Sequence, residues 1–235
     1  MRMSKRILVL LLSLLLCLSL VACKGDEPPA EDPPEQGGGG GSEGTPPAGP
    51  TVGVSGTFMG SNVTWKLMTD GELIVEGTGE MPDFAHASDG NDERPWAEWV
   101  TYIKKVTVKE GVTALGELAF KNFNVLQSVT LPASLTALPY AVFENCTSLR
   151  SVSGGVGISL IDENAFSNCP MLQTVSVSTP LARVAFGAFN TGSSRVLSLH
   201  FTGSESEWQT TRAALAVEGG NIAFENATVR CFPRA

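Results

Sequence analysis

The sequence predicts an α+β repeat solenoid: a short coil stack with one parallel sheet, a β-hairpin cap before it and a strand–helix cap after it. Three observations predict this. A pattern of 23 residues recurs four times over 104–198, and Val106, Val129, Val152 and Val175 stand in one column of it. Three further apolar columns keep the same register, one of them all phenylalanine: Phe120, Phe143, Phe166 and Phe189. Finally, every copy opens on an alternating β-branched run, such as Val106-Thr107-Val108 or Val129-Thr130-Leu131. A period of this length means stacked units, each too small to bury its own apolar face alone.

Taken in order, residues 1–22 read as a secretory leader. Arg2, Lys5 and Arg6 give a basic start and Ile7 to Val21 an apolar core. The run stops at Leu20-Val21-Ala22-Cys23, which resembles a bacterial lipobox and would make Cys23 the lipidated N-terminus of the mature chain. The alternatives are a plain secretory signal and an uncleaved membrane anchor. Two acyl signals on one residue suffice for stable anchoring. Residues 23–52 form a tether: beyond Cys23 they hold eight glycines and seven prolines, with six acids against Lys24. Such a composition cannot bury a core, and its role is to hold a folded head off the membrane. The Lys24-Gly25-Asp26-Glu27 start also resembles an acidic surface-export signal, although an acidic soluble linker explains it equally well.

Residues 53–103 are read as the N-terminal cap. Thr69-Asp70-Gly71 between two alternating runs, Val63 to Leu67 and Glu72 to Glu76, is a hairpin signal. A polar loop then leads to Pro95-Trp96-Ala97-Glu98-Trp99, a short helix with Pro at its start. Trp65, Trp96 and Trp99 are expected to cover the open end of the first coil.

Within each of the four repeats over 104–198 a strand is followed by a Gly-, Pro- or Ser-bearing turn. Two apolar residues three apart come next, then a small residue and Phe. That last stretch is too short for an independent helix, so one turn or 3₁₀ geometry is expected. With a fifth strand at Leu199 to Phe201, the sheet would be roughly 20 Å across. Gly154 holds the inward position taken by Val108, Leu131 and Val177, so the third coil should be locally weak or bulged. Residues 199–235 form the C-terminal cap: the last strand, a helix with Ser204 as N-cap running to about Ala216, and an edge strand within Ile222 to Val229.

The unit resembles the leucine-rich repeat of the BspA-like type, through its Pro, Ala-Phe, Asn-Cys and Leu positions. The segments before and after the repeats resemble that family's usual flanks. The resemblance implies a cell-surface lipoprotein, and such proteins are associated with adhesion to matrix proteins and cells. Two other readings stand beside adhesion: a carbohydrate-binding module using the cap tryptophans, and a structural envelope protein with no diffusible ligand.

The chemistry of the chain agrees with a binder more than a catalyst. The formal net charge is −8, and the leader holds three cations and no acid, so the mature chain is more acidic still. That argues against nucleic acid and anionic lipid as electrostatic partners. No nucleophile elbow, zinc helix, P-loop or dinucleotide fingerprint occurs, and no enzyme activity or cofactor is expected. Asp83, Asp89, Asp92 and Glu93 crowd a loop beside His86; a calcium site and a solvated acidic loop are the two readings, the second preferred, so no metal is expected. Cys146 and Cys169 stand one period apart, close enough for a disulfide, with two buried thiols as the preferred reading.

The candidate partner surface is the outward face of the sheet, where Thr107, Thr130, Ser153, Ser176 and His200 form a ladder. Lys105, Ser128, Ser151 and Thr174 flank it. The expected partner is an extracellular protein or cell-surface ligand, with the membrane reached through Cys23. The location would be the cell envelope, lipid-anchored and surface-exposed, on the outer membrane if the cell is Gram-negative. A face without aromatic or Arg anchors would bind weakly per molecule and depend on avidity. The competing account is that Ser and Thr merely solvate the sheet.

Overall fold

The computed structural model describes residues 51–84 and 92–232. The leader, Cys23 and the tether to residue 50 lie outside the described residues, as do His86 and Asp89. In the described chain the repeat coils stack in parallel, and both caps are hydrogen-bonded into the same sheet.

The long sheet begins with β1 (Val52–Thr57), β2 (Asn62–Met68) and β3 (Glu72–Glu80), an antiparallel set. β3 then pairs in parallel with β4 (Lys105–Val108), the first repeat strand. The ladder continues through β6 (Ser128–Leu131), β8 (Ser151–Gly154), β10 (Thr174–Ser178), β12 (Ser198–Thr202) and β14 (Thr228–Phe232). The hairpin joins the sheet edge-on, so the strand path is nearly twice the expected width, about 38 Å at one strand spacing per step. β1 was not expected. It is glycine-bearing and mostly exposed, and Gly56 lies so close over the Trp65 indole that a Cβ there would stand 2.8 Å from Nε1.

A second parallel sheet corrects the expectation of one. It is built of two-residue strands, β7 (Ala137–Leu138), β9 (Leu160–Ile161), β11 (Arg183–Val184) and β13 (Ala216–Val217). β5 (Val112–Ala114) holds the equivalent place in the first coil and pairs with β3. These strands end at the column of Leu138, Ile161 and Val184, all buried. Two-residue strands carry too little alternation to be read from sequence.

Between the two sheets the chain turns past Phe120, Phe143, Phe166 and Phe189 with i→i+3 hydrogen bonds, such as Val142 N–H to Pro139 O. No helix forms there, because left-handed residues interrupt the turn. Leu118, Ala141 and Asn164 have φ of 62°, 50° and 58°, and Asn122, Asn145 and Asn168 have 66°, 61° and 53°. Asparagine tolerates this region well. Its side chains also link the coils: Asn145 Nδ2 donates to Asn122 Oδ1 at 2.9 Å, and Asn168 Nδ2 to Asn145 Oδ1 at 2.8 Å.

Here runs a third ladder between coils, of backbone alone. The N–H groups of Leu118, Phe120 and Asn122 donate to the carbonyls of Tyr140, Val142 and Glu144. Those of Ala141, Phe143 and Asn145 donate to Glu163, Ala165 and Ser167 in the same manner. Every rung points the same way, from each coil to the next. Each end of the stack is therefore left with one kind of unpaired group, and buried backbone groups must find partners.

The caps supply most of them. At the N-terminal end the carbonyls of Glu117, Ala119 and Lys121 accept from Phe84 N–H, Trp96 Nε1 and Arg94 Nη1, the last two at 3.0 and 2.5 Å. Arg94 is itself gripped by Asp92 through Nε and Nη2 and lies over the Phe123 ring. Its guanidinium holds the Asp92 carboxyl below the usual range, first through that side-chain hydrogen bond. The pair's contribution is thus present above the unfolded aspartate pKa and fades as pH falls through the lower folded one. At the C-terminal end Gly187 N–H donates to Gly219 O, and Phe189 N–H to Asn221 Oδ1 at 2.8 Å. Asn221 is buried and its Nδ2 donates to Ala185 O and Glu218 O, each at 2.8 Å.

The rings form one column through the core. Trp96 stacks on Phe120 at 5.6 Å, and Phe120 on Phe143 and Phe143 on Phe166 at the same distance. Phe189 and then Phe224 extend it at 5.0 and 5.1 Å.

Two cap elements differ from expectation. The helix α1 (Glu205–Ala214), capped by a Ser204–Glu207 box, stops short of Ala216 because that residue enters the second sheet. The edge strand begins at Thr228, since Ile222–Glu225 forms a one-turn helix, α2, that places Phe224 on the ring column. The third coil is locally weak at Gly154 as expected, although β6 and β8 stay in register through Leu131 and Gly154 with no bulge. The φ of Gly154 is +82°, and a Cβ there would stand 2.0 Å from Leu131 O. Pairing of β8 with β10 covers only Ser151 and Val152.

Candidate functional site

Strand alternation places the ladder residues. Val129, Leu131, Val152, Val175 and Val177 point into the core, so Thr130, Ser153 and Ser176 between them point out. Parallel pairing in register then puts them side by side: Thr107 opposite Thr130, Thr130 opposite Ser153, and Ser176 opposite His200, which faces Arg230. Thr130 and Ser153 are exposed, while Ser176 and His200 are half-buried.

Thr107 departs from expectation. It is only 8% exposed, because its neighbour is the cap strand β3 and its Oγ1 donates to Glu72 Oε1. Glu72 also pairs with Lys105 Nζ at 3.1 Å, and Lys66 pairs with Glu76 on the next strands. The N-terminal part of the outward face is therefore occupied by its own ion pairs. The site that remains runs from Thr130 to His200, flanked by half-buried Ser128, Ser151 and Thr174.

Its hydroxyls are lightly used by the fold. Ser153 Oγ donates to Val129 O at 3.3 Å and lies 3.5 Å from Thr130 Oγ1. Beyond His200 the character changes. The imidazole packs on the Phe232 ring at 5.1 Å, and Arg230 is exposed with no ion-pair partner among the described residues. Sequence reasoning missed this cationic, aromatic margin because it placed the edge strand several residues too early.

The other sequence candidates serve the fold. Trp65, Trp96 and Trp208 are buried, and Trp99 is half-buried against Trp65, so the cap tryptophans offer no stacked aromatic platform. Asp92 binds Arg94, and Asp83 Oδ1 accepts Glu117 N–H at 2.8 Å, which gives both carboxylates structural work. Among the described residues no group of three or more His, Cys, Asp or Glu side chains is placed to hold a metal ion.

Cys146 and Cys169 are buried free thiols, donating to Phe120 O and Phe143 O at 3.1 Å. Burial pushes the Cys146 thiol well up and that of Cys169 up to about 12. The thiolate is the nucleophile, and raised pKa values leave little of it at pH 8. Burial and Glu205 raise the Cys231 thiol too, but it is only half-buried on β14, so Ellman's reagent at pH 8 is expected to reach and modify Cys231 and to spare the buried Cys146 and Cys169 until denaturant is added. Mass mapping of labelled peptides checks this; prompt labelling of Cys146 in native protein would refute the burial.

Comparisons with known proteins follow the fold. Residues 98–210 match the family model described as BspA type leucine rich repeat region, of six copies, extending past the four in-register repeats at both ends. No curated protein matches the chain. A leucine-rich repeat protein from Eubacterium ventriosum is similar in structure, with TM-score 0.55 and 21% identity, over 77% of this chain and 45% of that one. A leucine rich cell surface protein from Faecalibacterium prausnitzii matches with TM-score 0.46 and 23% identity, over 68% of this chain and 42% of that one. A leucine-rich repeat protein from Bacteroides capillosus gives 0.35 and 18%, over 63% and 99%. The chain thus spans less than half the length of the first two, and the first similarity is one of fold.

Proposed function

Since this chain carries a BspA type leucine-rich repeat region across residues 98–210, we propose that it is a lipid-anchored bacterial surface protein whose outward sheet face adheres to an extracellular or cell-surface protein. The observation that carries the reading is the outward hydroxyl array of Thr130, Ser153 and Ser176, with Thr130 paired to Ser153 and all three spared by the ion pairs that occupy the first strands. Strand pairing fixes Thr130 beside Ser153 and Ser176 beside His200, so an extended partner meets two paired steps of the ladder. The leader with its Cys23 and the glycine- and proline-rich tether support the location. The comparisons reach as far as the repeat family; adhesion and anchoring rest on this reading of the residues.

Hydroxyls give modest affinity and no deep anchor, so each contact is weak and many copies on one cell act together. The test is binding of the chain, as monomer and clustered on beads, to an array of matrix proteins and whole cells. The clustered form is expected to bind where the monomer does not. The triple substitution T130E/S153E/S176E is expected to abolish that binding while leaving the melting temperature within a few degrees, since the exposed positions Thr130 and Ser153 cost about 0.5 kcal/mol or less each and the half-buried Ser176 side chain points out of the core. Binding that survives the triple substitution would move the site off this face. A chain silent in both formats would favour the second reading, a structural envelope protein.

A further inference from the structure

The backbone ladder between coils is incompletely closed at its C-terminal end. Asn122, Asn145 and Asn168 occupy one position of successive coils, and each N–H donates to the next coil, to Glu144, Ser167 and Asn190. Thr191 is the residue one period further on. Gly219 and Asn221 cap the two rungs beside it, but no acceptor among the described residues meets the Thr191 N–H, although the residue is buried. The connection to the next strand is also one residue longer. β8 follows β6 at a spacing of 23, whereas β12 follows β10 at 24, Val175 pairing with Leu199. The extra length turns away through Gly192, whose φ is +68°, and Ser193 and Ser194.

A cavity of about 320 Å³ opens where a further coil would have sat, between residues 189–196 and α2. It shares no lining residue with the outward sheet face. Several of its backbone donors are unpaired. Besides Thr191, the N–H groups of Gly192, Ser193 and Ser194 find no acceptor among the described residues, and Arg195 is exposed with no carboxylate partner there. Successive N–H groups around a left-handed residue converge on an anion. Asn190 and Asn226 also line it, and two apolar side chains stand open to solvent: Ile222 is 70% exposed and Val196 65%.

We propose that this cavity binds the C-terminal carboxylate of a peptide whose last residue is a branched aliphatic. The carboxylate takes the backbone N–H groups from Thr191 to Ser194 and the Arg195 guanidinium, a recognised mode of capturing a chain terminus. The aliphatic side chain lies against Ile222 and Val196, and the volume suits about two residues. A peptide is favoured over an acidic sugar because both apolar walls would meet hydroxyls in the sugar case. The inference stands apart from the adhesive face and survives its failure.

The test uses the full chain, ¹⁵N-labelled, titrated with N-acetyl-alanyl-leucine as free acid and as amide. The free acid is expected to give saturable amide shifts at Thr191, Gly192, Ser193 and Ser194. The amide should bind at least about tenfold more weakly, as should the free acid to R195M, whose other resonances stay in place. Equal binding of acid and amide, unchanged binding to R195M, or no saturation up to ~10 mM would each overturn the proposal. So would glucuronate binding at the same amides more tightly than the peptide acid.

Discussion

Replacing Phe143 by alanine is expected to lower the unfolding free energy by about 3–5 kcal/mol. The ring is fully buried and stacks at 5.6 Å on Phe120 and on Phe166, so its loss leaves a void bounded by two rings that cannot close together. The backbone on either side is held in place, since Phe143 N–H donates to Ala165 O and its carbonyl accepts the Cys169 thiol. Relaxation into the cavity is therefore limited, which sets the cost near the upper end of the range. In a stack where each coil touches only its neighbours, a central void also weakens the coupling of the two halves. Thermal unfolding followed by circular dichroism should show a midpoint lower by about 10 °C and a broader transition. F143L, which keeps most of the volume, should cost less than half as much. A loss below about 1 kcal/mol for F143A would show that the site collapses freely and that the column is not the core's main support.

Asn221→Leu is expected to destabilise by a similar amount, about 3–5 kcal/mol, for a different reason. The substitution keeps the volume and adds apolar surface. It leaves the buried Phe189 N–H without an acceptor and Glu218 O without a donor, and takes from Ala185 O one of its two donors, the other being Ala188 N–H. Each orphaned buried group costs about 1–3 kcal/mol. Asn221→Asp separates the parts: it restores the acceptor but loses both donated bonds and buries a charge. Hydrogen exchange provides the local readout, with protection of the Phe189 amide expected to fall in N221L while that of Phe143 follows global stability. A leucine variant as stable as the parent would mean that the final coil does not require its cap.

Much of this was legible in the sequence because it repeats. The four apolar columns placed Phe120 to Phe189 in the core and set Thr130, Ser153 and Ser176 outward, and the Asp70-Gly71 turn placed the hairpin. What escaped reading lacks a period. The second sheet consists of strands too short to alternate. The backbone ladder is made by atoms that every residue has, and its left-handed turns fall on residues as different as Leu118, Ala141, Asn164 and Gly187. The caps are single events. Nothing in the pattern marks Arg94 as the donor to Lys121 O, nor Asn221 as the stand-in for a missing coil. Thr107 fits its column in sequence and loses its exposure only because β3, outside the repeat, pairs beside it.

The uniform direction of the backbone ladder bears on how such a chain can change over generations. A coil receives donors from the one before and offers its own to the one after, so a duplicated 23-residue segment would find on each side the neighbour it was copied from. Arg94, Trp96 and Asn221 would still meet the coils they meet now. A gain or loss of any other length would throw the sheets, the ring column and the backbone rungs out of step together. The reach of the hydroxyl face is thus a heritable quantity that grows or shrinks in steps of one strand spacing, about 4.8 Å, through unequal crossing-over within the gene, with both ends of the molecule left untouched.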